Sequence, residues 1–552
     1  MKIDEIVGIG RDITQEECDE AVAEMLSTLP SNNEPDLTYN QWRQRYVQTG
    51  SVVGLQVRGG MVEPITVHYY NEPALTGKGK VIFNGVSKAK DVQQRIRMAL
   101  STLFLARDNS WEHPWDSRDV TYTLAPQPTE TETTLDMAYL AATITIGNWP
   151  DLFCGECNAV GQFLPLSAPL AIGNKARVLG KRIVVPSSSA KIVSISGAEV
   201  IPVKNIEDLR VILEGHSHPV TPPKWEDIAT LSYPPQDDFR VIKGQEKAKQ
   251  ALEIAVAGGH NLLLIGPPGE GKSALSKRAY TITPPLTRPE ALTVTELWQA
   301  ADRIGKSTLL TLPPFVVAVR EASKESLLGG GSTEGPKPGM VSLAHKGILF
   351  ADEILQWTPT RIEALRISLQ DKQVIVARKD WQITFPADYQ LIAATNPCPC
   401  GYWNHPEQEC VCTKQQRAKY LAKASGAILD RIDLKCWVPP LLDEALKEPS
   451  GEDSSTIRGR VIAAKEMQIE RFGGKGITRN SELGPGLIEE LCWESGKARE
   501  RIAEDRGRLK LSTRRLDILR KVARTCADLR GSGEVELEDV ERAEGFLEVS
   551  FS

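Results

Sequence analysis

The sequence predicts an α/β chain with a P-loop core built on buried parallel strands, a helical lid after it and a separate α+β domain before it. Three stretches carry that expectation. Residues 262–265 form a short apolar run that enters a glycine-rich loop, residues 347–353 an apolar run ending in Asp352 and Glu353, and residues 390–396 a third ending in Asn396. Short apolar runs bounded by turn or polar signals fit strands buried on both faces.

At 552 residues the chain has room for about three domains. Hydrophobic content of 41% and charged content of 25% are those of an ordinary soluble protein. The stretch from Met1 to Ile6 does not read as a secretion signal, and no apolar run approaches a membrane span, so a cytoplasmic protein without membrane contact is expected. Ten cysteines in so long a chain fit a reducing compartment and a metal site better than a disulfide scaffold. A net charge of −6 excludes a generally basic nucleic-acid binder; such binding would need a local patch or charge repeated around a channel.

In chain order, residues 1–50 form a polar extension to which no chemistry is assigned. Within it, residues 13–26 begin like a capped helix, with Thr14 as N-cap and Glu17 three residues on, and residues 31–35 read as loop. Residues 51–215 alternate strands and helices. Strands are expected at 51–57, 65–70, 120–126 and ending at 182–186, and helices at 91–103 and from 134 to 142. Cys154 and Cys157 form a C-x-x-C pair. Positions i and i+3 of a strand face opposite sides, so two separately packed cysteines are expected rather than a redox or metal pair. Residues 216–239 hold Pro219, Pro222, Pro223, Pro234 and Pro235 and read as a linker. Residues 239–252 then read as a strand-like entry and a helix, opening a core over 240–440 that is followed by a helical lid over 441–552.

Residues 266–273 fit the P-loop pattern G-x-x-x-x-G-K-[ST]. Gly266, Gly269 and Gly271 let the backbone curl so that its N–H groups face phosphate oxygens, with Pro267, Pro268 and Glu270 between them. The helix beginning at Ala274 adds partial positive charge at its N-terminus. Lys272 is expected to reach the β- and γ-phosphates of ATP and the Ser273 hydroxyl to hold Mg²⁺. Asp352 then joins the Mg²⁺ shell, Glu353 polarises the attacking water and Asn396 orients it. Together the three strands resemble an AAA+ core.

Residues 427–433 resemble the segment that carries the arginine finger in the magnesium-chelatase and MCM branches of that group, with Arg431 reaching the γ-phosphate of a neighbouring subunit. Residues 511–516 resemble the sensor-2 entry to the lid, with Arg514 the better candidate and Arg515 the spare.

Residues 258–269, 328–331, 342–350, 394–401, 429–433 and 521–529 are similar to the magnesium-chelatase-like ComM family. The resemblance implies a hexameric ATPase linked to DNA branch migration during natural transformation, and hence DNA and further copies of the chain as partners. Residues 120–126 and 152–165 resemble the Lon-protease-like domain of the same family. There the nucleophile position corresponds to Thr134 and the lysine-base position falls near Leu170, so a non-proteolytic scaffold is expected. The family usually has paired histidines before the three glycines Gly329, Gly330 and Gly331; this chain has Val319 and Arg320.

Two further features bear on partners and metals. Residues 373–385 read as two strands about a turn at Arg378, Lys379 and Asp380, where this branch carries a pore hairpin; Arg378 and Lys379 would ring a hexamer channel with positive charge for phosphates. Cys398, Cys400, Cys410 and Cys412 make a C-x-C-x₉-C-x-C array that fits a four-cysteine Zn²⁺ site, with His405 in reserve.

Overall fold

A computed structural model describes residues 48–547, except 59–60, 75–78, 85, 87–88, 106–114, 116–117, 127–132, 146–147, 229–232, 306–307, 333–334, 379–380, 423–427, 429–430 and 441–450. The helix expected at 13–26 and the loop at 31–35 lie outside the described residues. The chain divides into two compact units, one ending at Lys224 and including Asp302–Thr308, the other formed by Trp225–Ala301 and Leu309–Ser552.

The first unit is α+β. Its sheet holds β1 (Gln48–Arg58), β2 (Met61–Pro73), β3 (Val81–Asn84), β4 (Arg118–Ala125), β5 (Asn148–Phe153), β6 (Ile183–Pro186) and β7 (Val200–Val203), in the order β3-β4-β2-β1-β5-β6-β7. β1, β2 and β4 pair antiparallel, while β5, β6 and β7 run parallel beyond β1. Helices α1 (Ala89–Leu105), α2 (Asp136–Ile144), α3 (Pro169–Val178), α4 (Ser187–Ile195) and α5 (Ile206–Leu213) pack on it. Alternate strand residues feed two cores: Ile183 and Val185 join Leu55 and Ile172, whereas Val184 joins Tyr122 and Phe153. Cys154 and Cys157 divide in the same way. The Cys154 thiol donates to the Leu55 carbonyl at 3.3 Å, and the Cys157 thiol faces the Asp136 carboxylate at 3.8 Å. They are separately packed, as their spacing on an extended chain requires.

The second unit holds five parallel strands: β8 (Leu262–Ile265), β9 (Phe315–Ala318), β12 (Ile348–Ala351), β15 (Gln390–Thr395) and β16 (Leu434–Trp437), in the order β16-β8-β15-β12-β9. Two hairpins stand apart from this sheet, β10 (Gly329–Ser332) with β11 (Gly335–Pro338), and β13 (Gln373–Arg378) with β14 (Trp381–Pro386). The longer helices of the core are α6 (Glu246–Gly258), α7 (Lys272–Ile282), α8 (Arg288–Ala300), α9 (Pro359–Asp371) and α10 (Lys414–Ala422). The longer helices that follow are α11 (Ser454–Phe472), α12 (Gly496–Arg508), α13 (Thr513–Leu529) and α14 (Leu537–Glu544). Leu262 and Leu264 share a buried cluster with Leu519, Val522 and Cys526 of α13, while Leu263 and Ile265 face Leu349 and Leu391. The lid thus completes the core on one face of the sheet, and Leu264→Ala should cost about 2–5 kcal/mol.

Two local expectations differ. Phe239–Val241 is a 3₁₀ turn rather than a strand, because the Asp238 carboxylate caps it by accepting from the Arg240 N–H at 2.9 Å. Within residues 216–239, Trp225–Ile228 forms one helical turn.

Candidate nucleotide site and four-cysteine loop

Strand register brings the site together. Ile265 stands opposite Thr395, and Ala351 opposite Ala393, so the residues that follow β8, β15 and β12 emerge at one edge of the sheet. Ligands of open parallel sheets bind at that carboxyl edge. Gly266 leaves β8 so close to the neighbouring chain that a Cβ there would lie 2.3 Å from the Val438 carbonyl oxygen. Gly271 turns into α7 at φ +78°, a conformation open to glycine at no steric cost. The unpaired N–H groups at the start of α7 then point toward the loop.

Lys272 is the first residue of α7 and is buried. Its ammonium donates to the carbonyls of Gly266 at 2.7 Å and Pro267 at 2.5 Å, and to Asn396 Oδ1 at 3.3 Å. Burial lowers its pKa, opposed by the charges of Asp352, Glu270 and Glu353. The Ala274 carbonyl, one turn along, accepts from Arg278 at 2.8 Å. Ser273 Oγ donates to Asp352 Oδ2 at 2.9 Å, which places two hard oxygen ligands side by side, a donor set that fits Mg²⁺. Asp352 is fixed from two sides: its Oδ1 accepts from the Glu353 N–H, and its carbonyl from Trp357 Nε1, both at 2.9 Å.

Glu353 adopts φ +47°, an uncommon conformation for a residue with a side chain. One carboxylate oxygen faces Asn396 Nδ2 at 3.5 Å and the other faces Arg320 Nη1 at 3.6 Å. Arg320 also donates to Gln356 Oε1 at 2.7 Å. Its position beside Glu353 was not expected. The only signal in the sequence was that Val319 and Arg320 depart from the family pattern. Also unexpected is a cavity of about 240 Å³ beside the loop, lined by Val241, Ile242, Gln245, Glu270, Gly271 and Leu275. Gln245 Nε2 donates to the Pro439 carbonyl at 2.7 Å and so ties the wall of this cavity to the end of the sheet.

The arginines lie elsewhere. The Arg431 carbonyl accepts from Asn261 Nδ2 at 2.8 Å, immediately before β8 begins, and its guanidinium donates to Gln370 Oε1 on α9 at 2.7 Å. That is the opposite end of β8 from Gly266, a strand length of about 13 Å away at about 3.3 Å per residue. Arg515 Nη1 donates to the Ile432 carbonyl at 3.4 Å, and Arg514 is exposed beside it on α13. Arg515 thus reaches the residue after Arg431, whose backbone lies at the end of β8 away from its own phosphate loop. Arg378 ends β13, and Lys379 lies outside the described residues.

The sulfurs of Cys398, Cys400, Cys410 and Cys412 all lie within 4.8 Å of one another. Pairs stand at 3.3, 3.6 and 3.7 Å. A disulfide needs about 2.05 Å. Four thiolates around a tetrahedral zinc with bonds of about 2.3 Å lie about 3.8 Å apart, so the donor set fits Zn²⁺. Arg417 buttresses the loop by donating to the Cys412 carbonyl at 2.9 Å while lying over the Trp403 ring at 5.4 Å. His405 Nδ1 accepts from the N–H groups of Glu407 and Gln408 at 3.1 and 3.0 Å and serves the turn.

In the first unit, Thr134 Oγ1 is buried and has no hydrogen-bond partner among the described residues, and Leu170 is a buried aliphatic residue. Among the described residues no hydrogen-bonded base stands ready to activate the hydroxyl. Among the described residues no helix is long and apolar enough to cross a membrane.

The family profile described as magnesium chelatase, subunit ChlI, matches residues 238–446, and that of the ChlI C-terminal region matches residues 451–546. YifB of Salmonella typhimurium, an uncharacterised protein, is 32% identical over 493 residues, spanning 87% of this chain and 93% of that one. An uncharacterised protein of Mycobacterium tuberculosis is 35% identical over 402 residues, 72% of this chain and 78% of its own. Competence protein ComM of Haemophilus influenzae is 36% identical over 311 residues, 56% of this chain and 60% of its own.

Proposed function

The chain belongs to the magnesium-chelatase-like family of AAA+ ATPases that includes ComM and YifB, and from that premise we propose that it is a ring-forming, ATP-driven DNA motor of the branch-migration or helicase type, working in the cytoplasm as a homohexamer. Support for a motor fed by subunit contact comes above all from Arg431, whose backbone stands at the far end of β8 from its own phosphate loop. Such an arginine serves a nucleotide held by a neighbour, which ties turnover to the assembled ring. Support for DNA comes from the β13–β14 hairpin, which carries Arg378 at the end of its first strand between the strands of Asp352 and Asn396. The name competence protein borne by one relative points the same way.

In this reading the base enters the cavity by Ile242 and Gln245, and the phosphates lie on the N–H groups from Gly266 to Ala274. Lys272 leaves the loop carbonyls for the β- and γ-phosphates. Ser273 Oγ and the Asp352 carboxylate would hold Mg²⁺, which when bound would neutralise phosphate charge. Glu353 takes the proton of the attacking water while Asn396 fixes the water's direction. Arg431 of one subunit offsets the charge that develops in the next. Cys398, Cys400, Cys410 and Cys412 would hold Zn²⁺ as a structural ion, since four protein ligands close the site.

A second reading is favoured by the family profile itself: a motor that remodels a protein partner, as the magnesium-chelatase subunit would. A protease is disfavoured because the position of a lysine base falls near the buried Leu170. Migration of a four-way DNA junction, assayed with ATP and with a non-hydrolysable analogue, separates these readings. The motor moves the junction with ATP alone, and a protein remodeller with neither.

A further inference from the structure

We propose that the four-cysteine loop is a metal-dependent brace for the phosphate loop, so that nucleotide affinity rises when the loop holds its metal. The inference rests on the zinc reading above and goes beyond it, from a structural ion to a coupled one.

The geometry forms a closed circuit. The loop leaves the core at Asn396 and reaches its first ligand, Cys398, two residues later. The Gly401 N–H donates to the Cys398 carbonyl at 3.0 Å, so the turn that carries Cys398 and Cys400 ends at Gly401. Gly401, at φ +89°, lies directly on Pro268 of the phosphate loop: a Cβ there would stand 2.8 Å from Pro268 Cδ and 3.2 Å from Cγ. Next to Pro268, the Pro267 carbonyl accepts from Lys272, and Lys272 returns to Asn396. One turn therefore carries two sulfurs, touches the phosphate loop and follows directly on the residue that Lys272 reaches.

Cys398 is buried and Arg417 supports Cys412, but no regular secondary structure holds the rest of the loop. Residues 399–413 hold no helix or strand, and Val411 is 82% exposed. Segments with few buried apolar contacts open at small free-energy cost. Closing four thiolates on one ion supplies the missing order, because the free energy of metal binding is there free energy of folding. An ordered turn holds Pro268 and Asn396 in place, and a nucleotide that meets an ordered loop loses less entropy on binding. Coupling of this kind is reciprocal, so bound nucleotide must hold the metal by the same factor.

The test uses the full chain and a fluorescent, non-hydrolysable ATP analogue. Its dissociation constant is measured for zinc-loaded protein, for protein stripped with a chelator, and for stripped protein resupplied with zinc, with metal content determined for each sample. The same series is run on Pro268→Ala, which removes the contact without touching a ligand. In the parent, stripping should weaken the analogue roughly tenfold, and zinc should restore it. The equilibrium affinity for zinc, measured by competition with the chelator, should rise by the same factor when the analogue is bound. In Pro268→Ala the affinity should no longer respond to zinc, although one zinc per chain is kept. An affinity in the parent that is indifferent to zinc, or a full response in Pro268→Ala, overturns the brace and leaves the zinc site standing. Folded protein from a zinc-replete preparation that carries no zinc overturns the site and the brace together.

Discussion

Arg320 Nη1 stands 3.6 Å from Glu353 Oε2, so a guanidinium from the end of β9 faces the carboxylate that follows β12. The register explains the meeting: Ala318 lies opposite Ala351, and both side chains sit two residues further on. The side chains are 50% and 40% exposed, and an ion pair so open to water adds about 0–1 kcal/mol of stability. Its effect lies in where it points Glu353. Arg320→Ala should free the carboxylate for water and raise DNA-free hydrolysis by roughly threefold to tenfold, with KM for ATP unchanged. Steady-state kinetics check this, and a fall in kcat would mean that Arg320 assists the reaction instead.

Phosphate binding and water activation belong to different residues and should separate on mutation. Lys272→Ala removes the ammonium that the loop carbonyls hold and should abolish nucleotide binding. Glu353→Gln keeps the shape of the side chain and loses the base. It should bind ATP as the parent does, with hydrolysis slowed by about 10²–10⁴-fold. Equilibrium binding beside single-turnover hydrolysis distinguishes the two.

Arg431→Ala should leave nucleotide binding intact and lower turnover by about 10³-fold or more. The expectation follows from its place beside Asn261, at the end of β8 remote from Gly266. Mixing the variant with Lys272→Ala should recover part of the activity, since each supplies what the other lacks across an interface. Full activity of Arg431→Ala alone would remove the finger from the mechanism.

The parts of the site that were legible in the sequence are those whose signal is local. Gly266 to Ser273, Asp352 with Glu353, and Asn396 each follow an apolar strand directly, and parallel pairing brings the three strand ends together. The cysteines were legible for the same reason, being close in sequence. Arg320 beside Glu353 was not, because it depends on the register of β9 on β12, which no local pattern encodes. Nor was Gly401 on Pro268, a contact between loops more than a hundred residues apart. Phe239 misled because an apolar residue before a helix suits a strand or a capped 3₁₀ turn equally well, and only the Asp238 carboxylate decides.

Acid should loosen the junction of core and lid in two stages. Burial, helped by Lys346, pulls His345 down to about 4 from 6.5, so the folded state keeps it neutral. Its contribution is complete above pH 6.5 and is lost as the pH falls toward 4, about 3 kcal/mol in all. Glu482 is pushed up by burial, but Arg479, Lys372 and the Thr478 N–H outweigh that and hold it at about 2. It stabilises above its ordinary value of 4.5, and this is lost between there and pH 2. Arg479 bridges Glu482 of the lid at 2.9 Å to Asp388 of the core. Denaturant midpoints measured across pH should fall in both windows, and His345→Gln should flatten the upper one alone.

The DNA reading turns on the β13–β14 hairpin, where Arg378 ends the first strand. Phosphate contacts there would be sequence-tolerant and would weaken steeply with salt. The measurement is the ATP hydrolysis rate with and without forked DNA, at low and at physiological salt, for the parent and for the double variant Arg378→Ala, Lys379→Ala. DNA should raise the parent's rate several-fold, salt should remove the increase, and the double variant should keep its basal rate but ignore DNA. A parent whose rate is the same with and without forked DNA at low salt would contradict the motor and leave the protein-remodelling reading in its place.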